Sequence, residues 1–278
     1  MNMQQAIRPA AFAGRLYPAD PELLRTQTIE LLTSAVPAEE LTVLPKALVV
    51  PHAGYLYSGT VAANGYASLY GAHHTIKRVV LLGSAHRASI KGFVLPAWQG
   101  FSTPLGVVPV AAEATQLLRQ FPDATIDNHP HAQEHSVEVQ LPFLQTLFDD
   151  FSIIPLLINS ESAEHVADLF ELLWGGPETL FVISSDLSHF LSYDDSRALD
   201  RTTVHQMLDL RPGLSSHQAC NASALNGLLI ASARHALAPY LLDLRNSGDT
   251  AGDRGRVVGY ASLAFVDFAA GCAQLVRH

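Results

Sequence analysis

Three short apolar runs along the chain share one pattern, because each has the character of a buried strand and leads within a few residues to a histidine. The runs cover residues 47–50, 78–82 and 180–184, and the histidines that follow them are His52, His86 and His189. Continuous apolar runs bounded by turn residues are typical of parallel strands buried on both faces. Ligands of open α/β sheets bind beyond the carboxyl ends of such strands. The pattern therefore predicts that the three histidines converge on one site.

Helical patterns alternate with these strands. Residues 20–34 begin with Asp20 and a proline, a favourable N-cap followed by a favourable first helical residue. Further helices are predicted at 59–70, 113–120, 163–173, 194–208 and 220–235 and from His135 onward, and further strands at 152–158, 240–244 and 257–266, the last two antiparallel. Alternating strands and helices predict one α/β domain over residues 1–278 with a mostly parallel or mixed central sheet.

Three segments fall outside this alternation. Residues 7–18 are predicted to form an extended N-terminal arm, and residues 91–110, broken by proline and glycine, a hairpin or sheet edge. Residues 121–134 form a polar loop of a length that is often functional. Within that loop, His129 and His131 are predicted to be solvated.

Composition and charge exclude several classes of function. The 26 acidic residues outnumber the 17 basic ones, and no lysine or arginine run occurs, which argues against nucleic-acid binding. No apolar segment reaches the roughly 18 residues of a membrane span, and the first residues lack a signal pattern. Cys220 and Cys272 provide no disulfide framework and fit a reducing compartment. We therefore expect a cytoplasmic protein that binds neither nucleic acid nor membrane.

His52 and His86 are the strongest candidates for metal ligands. Imidazole is the commonest metal ligand, and two rigid strand ends would fix the separation of the rings. The alternative is that each histidine is structural or merely exposed, since no H-E-x-x-H spacing occurs.

His189 is a candidate general base, with Asp186 as the carboxylate that fixes its tautomer and raises its basicity. Alternatively, Asp186 caps a short turn and His189 packs beneath it.

The pair Glu134–His135 also allows two interpretations. His135 could bond substrate or oxygen at a metal, or Glu134 could cap a helix while His135 remains exposed.

Cys220 begins an alanine-rich segment of predicted helix. A helix N-terminus favours the thiolate, which would prepare this residue as a ligand or nucleophile. The alternative is a small buried hydrophobic side chain, the commoner role of a free cysteine. Cys272 has no comparable context.

Taken together, six motifs resemble the Memo family, whose prokaryotic members are called protein B of the Amme-Memo-radical-SAM system. They occur in order at residues 12–18, 51–59, 82–86, 134–143, 184–189 and 259–262. The resemblance extends from about residue 8 to about residue 266. It implies a fold similar to class III extradiol dioxygenases, with a single αβα three-layer domain.

The resemblance also implies a site. His52 and His86 match the two metal-binding histidines of the family, and Cys220 matches a cysteine that replaces the dioxygenases' carboxylate ligand. His189 matches the acid-base histidine and His135 another histidine of the pocket. Family members usually have glycine and then proline after the cysteine, whereas here Asn221 and Ala222 follow it.

These matches favour a non-haem, metal-dependent oxidoreductase of dioxygenase type that acts on a small-molecule ligand. Fe(II) is the favoured ion, and the softer thiolate makes Cu and Zn alternatives. A second hypothesis is a non-catalytic module that binds a peptide or protein, and a weaker third is a zinc hydrolase. The resemblance further suggests Amme-type and radical-SAM partners.

Overall fold

The computed structural model describes residues 7–36, 41, 43–121 and 123–267. Within these ranges the strands are β1 (Ile7–Arg8), β2 (Ala47–Val50), β3 (Arg78–Ser84), β4 (Phe93–Leu95), β5 (Gly100–Thr103), β6 (Gly106–Pro109), β7 (Ala124–Ile126), β8 (Ser152–Ile158), β9 (Thr179–Ser184), β10 (His189–Leu191), β11 (Leu237–Asn246) and β12 (Val257–Asp267). The helices are α1 (Pro21–Thr33), α2 (Tyr55–Ala67), α3 (Ala114–Leu118), α4 (His129–Ala132), α5 (Leu141–Leu147), α6 (Ala163–Leu173), α7 (Tyr193–Leu208) and α8 (Ala222–Arg234).

The central sheet is mixed, with a parallel middle and antiparallel flanks. Its strand order is β10-β12-β2-β9-β3-β8-β4-β7, and β11 pairs with β12. The strands β2, β9, β3 and β8 run parallel to one another, and β9 lies between the two strands that precede His52 and His86. This order brings the carboxyl ends of all three predicted strands to one edge of the sheet.

The sheet is buried on both faces, as the uninterrupted apolar runs predict. Alternate residues of β3 belong to different hydrophobic clusters, because successive side chains of a strand point to opposite faces. Val80 and Leu82 pack with residues of α6 and α8, whereas Val79 and Leu81 pack with residues of α1, α2 and α5. The result is the predicted arrangement of helices on both sides of a central sheet.

Several helix boundaries follow directly from the sequence. The Asp20 side chain accepts a hydrogen bond from the Leu23 backbone nitrogen at 2.9 Å, which confirms the predicted N-cap of α1. Helix α6 covers the predicted residues. Strands β11 and β12 pair antiparallel, also as predicted.

Helix α2 begins at Tyr55, four residues before the predicted start. The ring of Tyr55 packs against Tyr17 and Phe143, and its hydroxyl donates to the Val139 carbonyl at 2.8 Å. This buried packing holds a glycine-flanked segment in a helix that its own composition only weakly favours.

Two other predicted helices begin later in the structure than the sequence suggested. Helix was expected from His135, but a short 3-10 turn (Glu138–Gln140) comes first and α5 follows. The Glu134 carboxylate accepts the backbone N–H groups of His135 and Ser136, and this holds both residues in a turn. The segment 121–134, predicted to be loop, contains β7 and α4.

The second late start concerns the cysteine. Helix α8 was predicted to begin at Cys220 but begins at Ala222. Cys220 therefore lies in the turn before the helix. Asn221 Nδ2 donates to the carbonyls of Leu82 and Ser184, both at 3.2 Å. These bonds fix residue 221 in a non-helical conformation at the strand ends. Cys272 lies outside the described residues.

The N-terminal arm is tied into the protein by a buried ion pair. Strand β1 pairs with β5 in a small sheet that also contains the predicted hairpin of β5 and β6. Arg8 and Glu138 are both fully buried, and their charged groups lie 2.5 Å apart. Arg8 also donates to the carbonyls of His131 and Glu134. The arm therefore holds the polar segment in place.

His131 corrects a prediction, because it is buried and not solvated. Its Nε2 lies 2.9 Å from the Val94 carbonyl, and its ring packs edge to face against Phe101. Burial, reinforced by the charge of Arg8, lowers the pKa of His131 to about 4.

Among the described residues, no helix has both the length and the apolar character of a membrane span.

Candidate metal centre

His52, His86 and Cys220 come together at the carboxyl edge of the sheet. One ligand atom from each lies within 4.8 Å of the other two. The Nε2 atom of His52 is 3.4 Å from the Cys220 sulfur, and the rings of His52 and His86 meet edge to face with centroids 5.1 Å apart. The structure therefore places the three residues that the sequence identified, from positions 34 to 168 residues apart, in one compact cluster.

Hydrogen bonds around Ser184 determine which nitrogen of His52 is free. The Ser184 hydroxyl donates its single proton to the Ser136 carbonyl at 2.6 Å and accepts from Gln140 Nε2 at 2.9 Å. The Gln140 assignment is itself fixed, since the same Nε2 donates to the Pro51 carbonyl. The 3.0 Å contact between Ser184 Oγ and His52 Nδ1 must then be donated by the imidazole. His52 Nε2 consequently carries the lone pair, and this atom faces Cys220.

Glu134 orients the second histidine. Its carboxylate accepts from the His86 backbone nitrogen at 2.7 Å and lies 3.0 Å from His86 Nδ1. Pairing Nδ1 with a carboxylate leaves Nε2 of His86 for an ion, an arrangement that recurs around metal-binding histidines. Burial alone would lower the pKa of His86, but hydrogen bonds to Cys220 and Glu134 raise it to about 9.

Glu134 is the main residue that the sequence reasoning missed, since it was read only as a helix cap. The carboxylate is buried and also lies 3.0 Å from His135 Nδ1. Burial acts to raise the pKa of Glu134, but hydrogen bonds from His135 and His86 lower it overall, so the group is ionised. The one signal in the sequence was its position directly before His135 in a polar segment.

His135 joins the cluster as a third imidazole. Its ring centroid is 5.2 Å from that of His52 and 4.7 Å from that of His86. Burial lowers the pKa of His135, although the hydrogen bond to Glu134 opposes this. His135 is therefore a neutral imidazole with Nδ1 bound to a carboxylate, and it could act as a base or contact a ligand. The alternative of a fully exposed surface residue is wrong.

Cys220 is held by the segment that follows β9. Its sulfur accepts from the Asp186 backbone nitrogen at 3.2 Å, and its own backbone nitrogen donates to the Asp186 carbonyl at 3.1 Å. The Ser185 hydroxyl lies 3.6 Å from the sulfur. These contacts place the sulfur against His52 without help from the helix that follows.

Asp186 and His189 are arranged differently from the predicted pair. The Asp186 carboxylate accepts from the His52 backbone nitrogen at 2.8 Å, and its other oxygen lies 3.9 Å from His52 Nε2. His189 Nδ1 lies 2.8 Å from the Leu187 carbonyl, so that carbonyl and not Asp186 orients the ring. Asp186 thus positions His52, whereas His189 contacts Leu187 and Phe190 and is not among the described residues whose ligand atoms cluster, contrary to the predicted convergence of all three histidines.

The donor set fits a metal ion. A tetrahedral ion bound by imidazole nitrogen and thiolate sulfur at ordinary bond lengths separates the two ligand atoms by about 3.5 Å, and His52 Nε2 and Cys220 Sγ are 3.4 Å apart. Both histidines also have the outer hydrogen bonds that leave Nε2 free. Two imidazoles and one thiolate would leave coordination positions open for a substrate.

A polar cavity of about 490 Å³ lies beside Cys220. Besides the cysteine, its lining includes several hydrogen-bonding side chains, namely Asn159, Ser160, Glu161, Ser216, Ser223 and Asn226. The described residues that line it include no aromatic side chain. A ligand that reaches the cluster from this side would meet polar walls.

Comparison with known proteins identifies the family of this chain. The family model of the Memo-like proteins matches residues 8–264. This chain belongs to the Memo family. The match covers every residue of the cluster, and the fold is consistent with the dioxygenase-like architecture that the family resemblance implied.

Relatives in the Memo family are similar over almost their full length. A MEMO1 family protein of Aquifex aeolicus is 33% identical over 272 residues, which cover 94% of this chain and 99% of the relative. A MEMO1 family protein of Sulfolobus acidocaldarius is 36% identical over 289 residues, which cover 94% of this chain and 100% of the relative. The Asn221 side chain anchors the turn that carries Cys220 to β3 and β9.

Proposed function

We propose that this Memo family protein is a metal-dependent oxidoreductase related to the extradiol dioxygenases. The observation that carries the proposal is the convergence of His52, His86 and Cys220, whose ligand atoms all lie within 4.8 Å of one another. Fe(II) is the ion we favour, with Cu and Zn as alternatives because the thiolate is a soft ligand. When bound, the ion would supply open coordination positions and redox chemistry.

The surrounding residues would position the ligands and handle protons. Ser184 and Glu134 hold Nδ1 of the two histidines, so that both Nε2 atoms would face the ion. Because the pKa of His86 is raised to about 9, an ion would displace the proton from its Nε2 atom on binding. His135 is the nearest candidate base, because it is neutral and its Nδ1 is held by Glu134. We propose that His135 contacts the substrate and that His189, which lies outside the cluster, exchanges protons with the substrate or with solvent.

The polar cavity bears on the class of substrate. Asn159, Ser223 and Asn226 line the cavity with Cys220, and each keeps some hydrogen-bonding capacity beyond its bonds within the protein. No aromatic side chain among the described lining residues would stack on a ring. This favours a small molecule with several hydrogen-bonding groups. The panel of substrates should therefore include polar hydroxylated compounds as well as catechols.

The first experiment is metal analysis of protein purified without added metal, followed by anaerobic reconstitution with Fe(II), Cu or Zn. Oxygen consumption is then measured across the panel with the wild type and with the His52→Ala, Cys220→Ala, His135→Ala and His189→Ala variants. His205→Ala, on the exposed surface of α7, is the matched control. We expect one bound ion per chain in the wild type and the control, and loss of it with His52→Ala and Cys220→Ala.

For the oxidoreductase, we expect uptake that the His135→Ala and His189→Ala variants reduce while they retain the ion. Stoichiometric metal binding without oxygen uptake above these variants would contradict catalysis of this type. It would favour the rival hypothesis of a peptide- or protein-binding module. A wild type that binds no ion would contradict the metal centre itself.

A further inference from the structure

A second cavity, of about 180 Å³, lies between α7 and β11, and its walls are rich in arginine. Arg197 and Arg201 are four residues apart on α7, so they share one face of the helix. Arg245 lines the same cavity from β11. Arg254 lies over the ring of Tyr193, another lining residue, at 4.4 Å. A chain with a formal net charge of −9 therefore concentrates several of its cations at one place.

The nearby carboxylates do not neutralise the two helix arginines. Arg245 is paired with Asp243 at 3.0 Å, but no residue in the described part of the chain forms a salt bridge with Arg197 or Arg201. Both side chains are exposed. Arg197 lies over the Tyr193 ring at 5.4 Å, but no hydrogen bond within the described residues uses the side-chain N–H groups of either arginine, so both can donate to an anion.

The two aspartates in the cavity lining are already engaged. Asp200 is buried, and its oxygens accept from the Ser188 backbone nitrogen and the Ser196 hydroxyl. Asp249 accepts from the Tyr193 hydroxyl at 2.5 Å and from the Asn246 backbone nitrogen at 3.0 Å. Each carboxylate is thus already hydrogen-bonded within the protein, and because Arg245 is paired with Asp243, Arg197 and Arg201 are the two lining arginines left for an anion.

Asn246 adds an independent observation. This lining residue is only 1% exposed, and its Nδ2 atom is buried with no hydrogen-bond partner among the described residues. The orientation of the amide is fixed, because Oδ1 accepts from the Gly248 backbone nitrogen at 2.9 Å. Asn246 lines the cavity, and because an unpaired buried donor is destabilising, a ligand oxygen that reached Nδ2 would stabilise the site.

From these contacts we propose that the cavity is a binding site for phosphate or for the phosphoryl group of a small phosphate monoester. Guanidinium groups bind phosphate oxygens through paired hydrogen bonds, and a phosphoryl group has enough oxygens to meet Arg197, Arg201 and Asn246 Nδ2 together. The cavity is smaller than the roughly 300 Å³ at which pockets for whole organic ligands begin, which suits a charged group more than a large molecule. The site is separate from the metal cluster.

The test uses the full chain and titrates it with inorganic phosphate, with glycerol phosphate as a monoester, and with chloride at matched ionic strength. Binding is followed by calorimetry and by the thermal unfolding midpoint. We expect saturable binding of phosphate or of the monoester and none of chloride, and the comparison of the two phosphate ligands distinguishes the free ion from the esterified group.

Three variants make the test specific. Arg197→Gln combined with Arg201→Gln should weaken binding by at least about tenfold, because two charge-assisted contacts are lost. Asn246→Asp replaces the unpaired donor by an acceptor of the same shape and should weaken binding similarly. Arg211→Gln, an exposed arginine paired only with Asp209, is the control and should bind like the wild type.

Two results would overturn the proposal. One is a wild type that binds neither phosphate ligand at millimolar concentration, and the other is binding that the Arg197→Gln/Arg201→Gln variant retains. Circular dichroism of each variant checks the fold. Because metal content is measured separately, failure here leaves the metal centre untouched.

Discussion

The Nδ1 atom of His52 donates a hydrogen bond to the Ser184 hydroxyl across 3.0 Å. The direction follows from the neighbours of Ser184, because its proton is given to the Ser136 carbonyl and Gln140 donates to it. One hydroxyl at the end of β9 thereby decides which nitrogen of a histidine after β2 faces Cys220. The candidate metal centre thus depends on residues that would never touch the ion.

Removal of that hydroxyl should affect both stability and metal binding. Ser184→Ala leaves His52 Nδ1, Gln140 and the Ser136 carbonyl each short of one partner. We expect the free energy of unfolding to fall by about 1–3 kcal/mol and the metal affinity to fall roughly tenfold, since the imidazole can then adopt its other tautomer. Urea denaturation and competitive metal titration measure the two effects. Ser34→Ala, at the exposed end of α1, is the control, and an unchanged metal affinity would contradict the tautomer argument.

Glu134→Gln should weaken the metal centre with little change in shape. The carboxylate serves His86, His135 and Ser136, and an amide has only one oxygen to accept with and an NH₂ group that would face N–H donors. We expect metal affinity to fall by about 10- to 100-fold, as for other outer-sphere carboxylates. The measurement is a competitive chelator titration. Glu113→Gln, on the exposed side chain that pairs with Arg78, should leave affinity unchanged.

Arg8→Met should strongly destabilise the protein. It leaves the Glu138 carboxylate buried without its cation, retaining only the Tyr17 hydroxyl and the backbone donors of Ala11 and Phe12. Breaking one side of a buried ion pair costs about 3–5 kcal/mol, whereas Arg211→Met at an exposed pair should change stability by no more than about 0.5 kcal/mol. Urea unfolding compares the two. Equal effects would mean that the Arg8–Glu138 pair contributes nothing special.

Arg8 should matter to the metal centre as well. Its guanidinium holds the carbonyls of His131 and Glu134, so its loss releases the segment that carries the Glu134 carboxylate. We therefore expect weaker metal binding in Arg8→Met at temperatures where the variant is fully folded. Normal affinity in the folded variant would show that the segment keeps its position without the arm.

The free energy of unfolding should decrease as the pH is lowered, because of His131. Its pKa is about 4 in the folded protein, below its ordinary 6.5, so the unfolded chain takes up a proton that the folded chain refuses. The stability that neutral His131 contributes is complete above pH 6.5 and is lost as the pH falls toward 4, by about 3 kcal/mol in total. Urea unfolding at several pH values should show this slope. His131→Gln, whose amide can still donate to the Val94 carbonyl, should flatten it, and an unchanged slope would assign the loss to other groups.

Much of the fold follows from local patterns. The strands before His52, His86 and His189, and the helices α1, α6 and α7, are set by apolar runs and N-caps that lie within a few residues of each element. Helices whose first residue depends on contacts with distant segments were predicted to begin at the wrong residue. Tyr55 begins its helix because of packing on Tyr17 and Phe143, and the helix after Asn221 begins late because that side chain bonds to β3 and β9.

The candidate site divides in the same way. Positions after strands identified His52 and His86, and a predicted helix start together with the family resemblance identified Cys220; the ligand atoms of all three meet in the structure. Their supporting partners were not predicted, and Asp186 was assigned to the wrong histidine. A carboxylate or hydroxyl that acts through hydrogen bonds has no spacing rule along the chain, so nothing in the sequence connects Glu134 to His86 or Ser184 to His52.

The sequence by itself determined the strand ends that carry the imidazoles of His52 and His86, because burial and periodicity act over neighbouring residues. The tertiary structure alone decided how they are used: which nitrogen is free, which carboxylate is ionised, and that His131 is buried and neutral. Those outcomes depend on hydrogen bonds and desolvation between segments far apart in the chain, and only the folded arrangement of β2, β3, β9 and the arm brings them together.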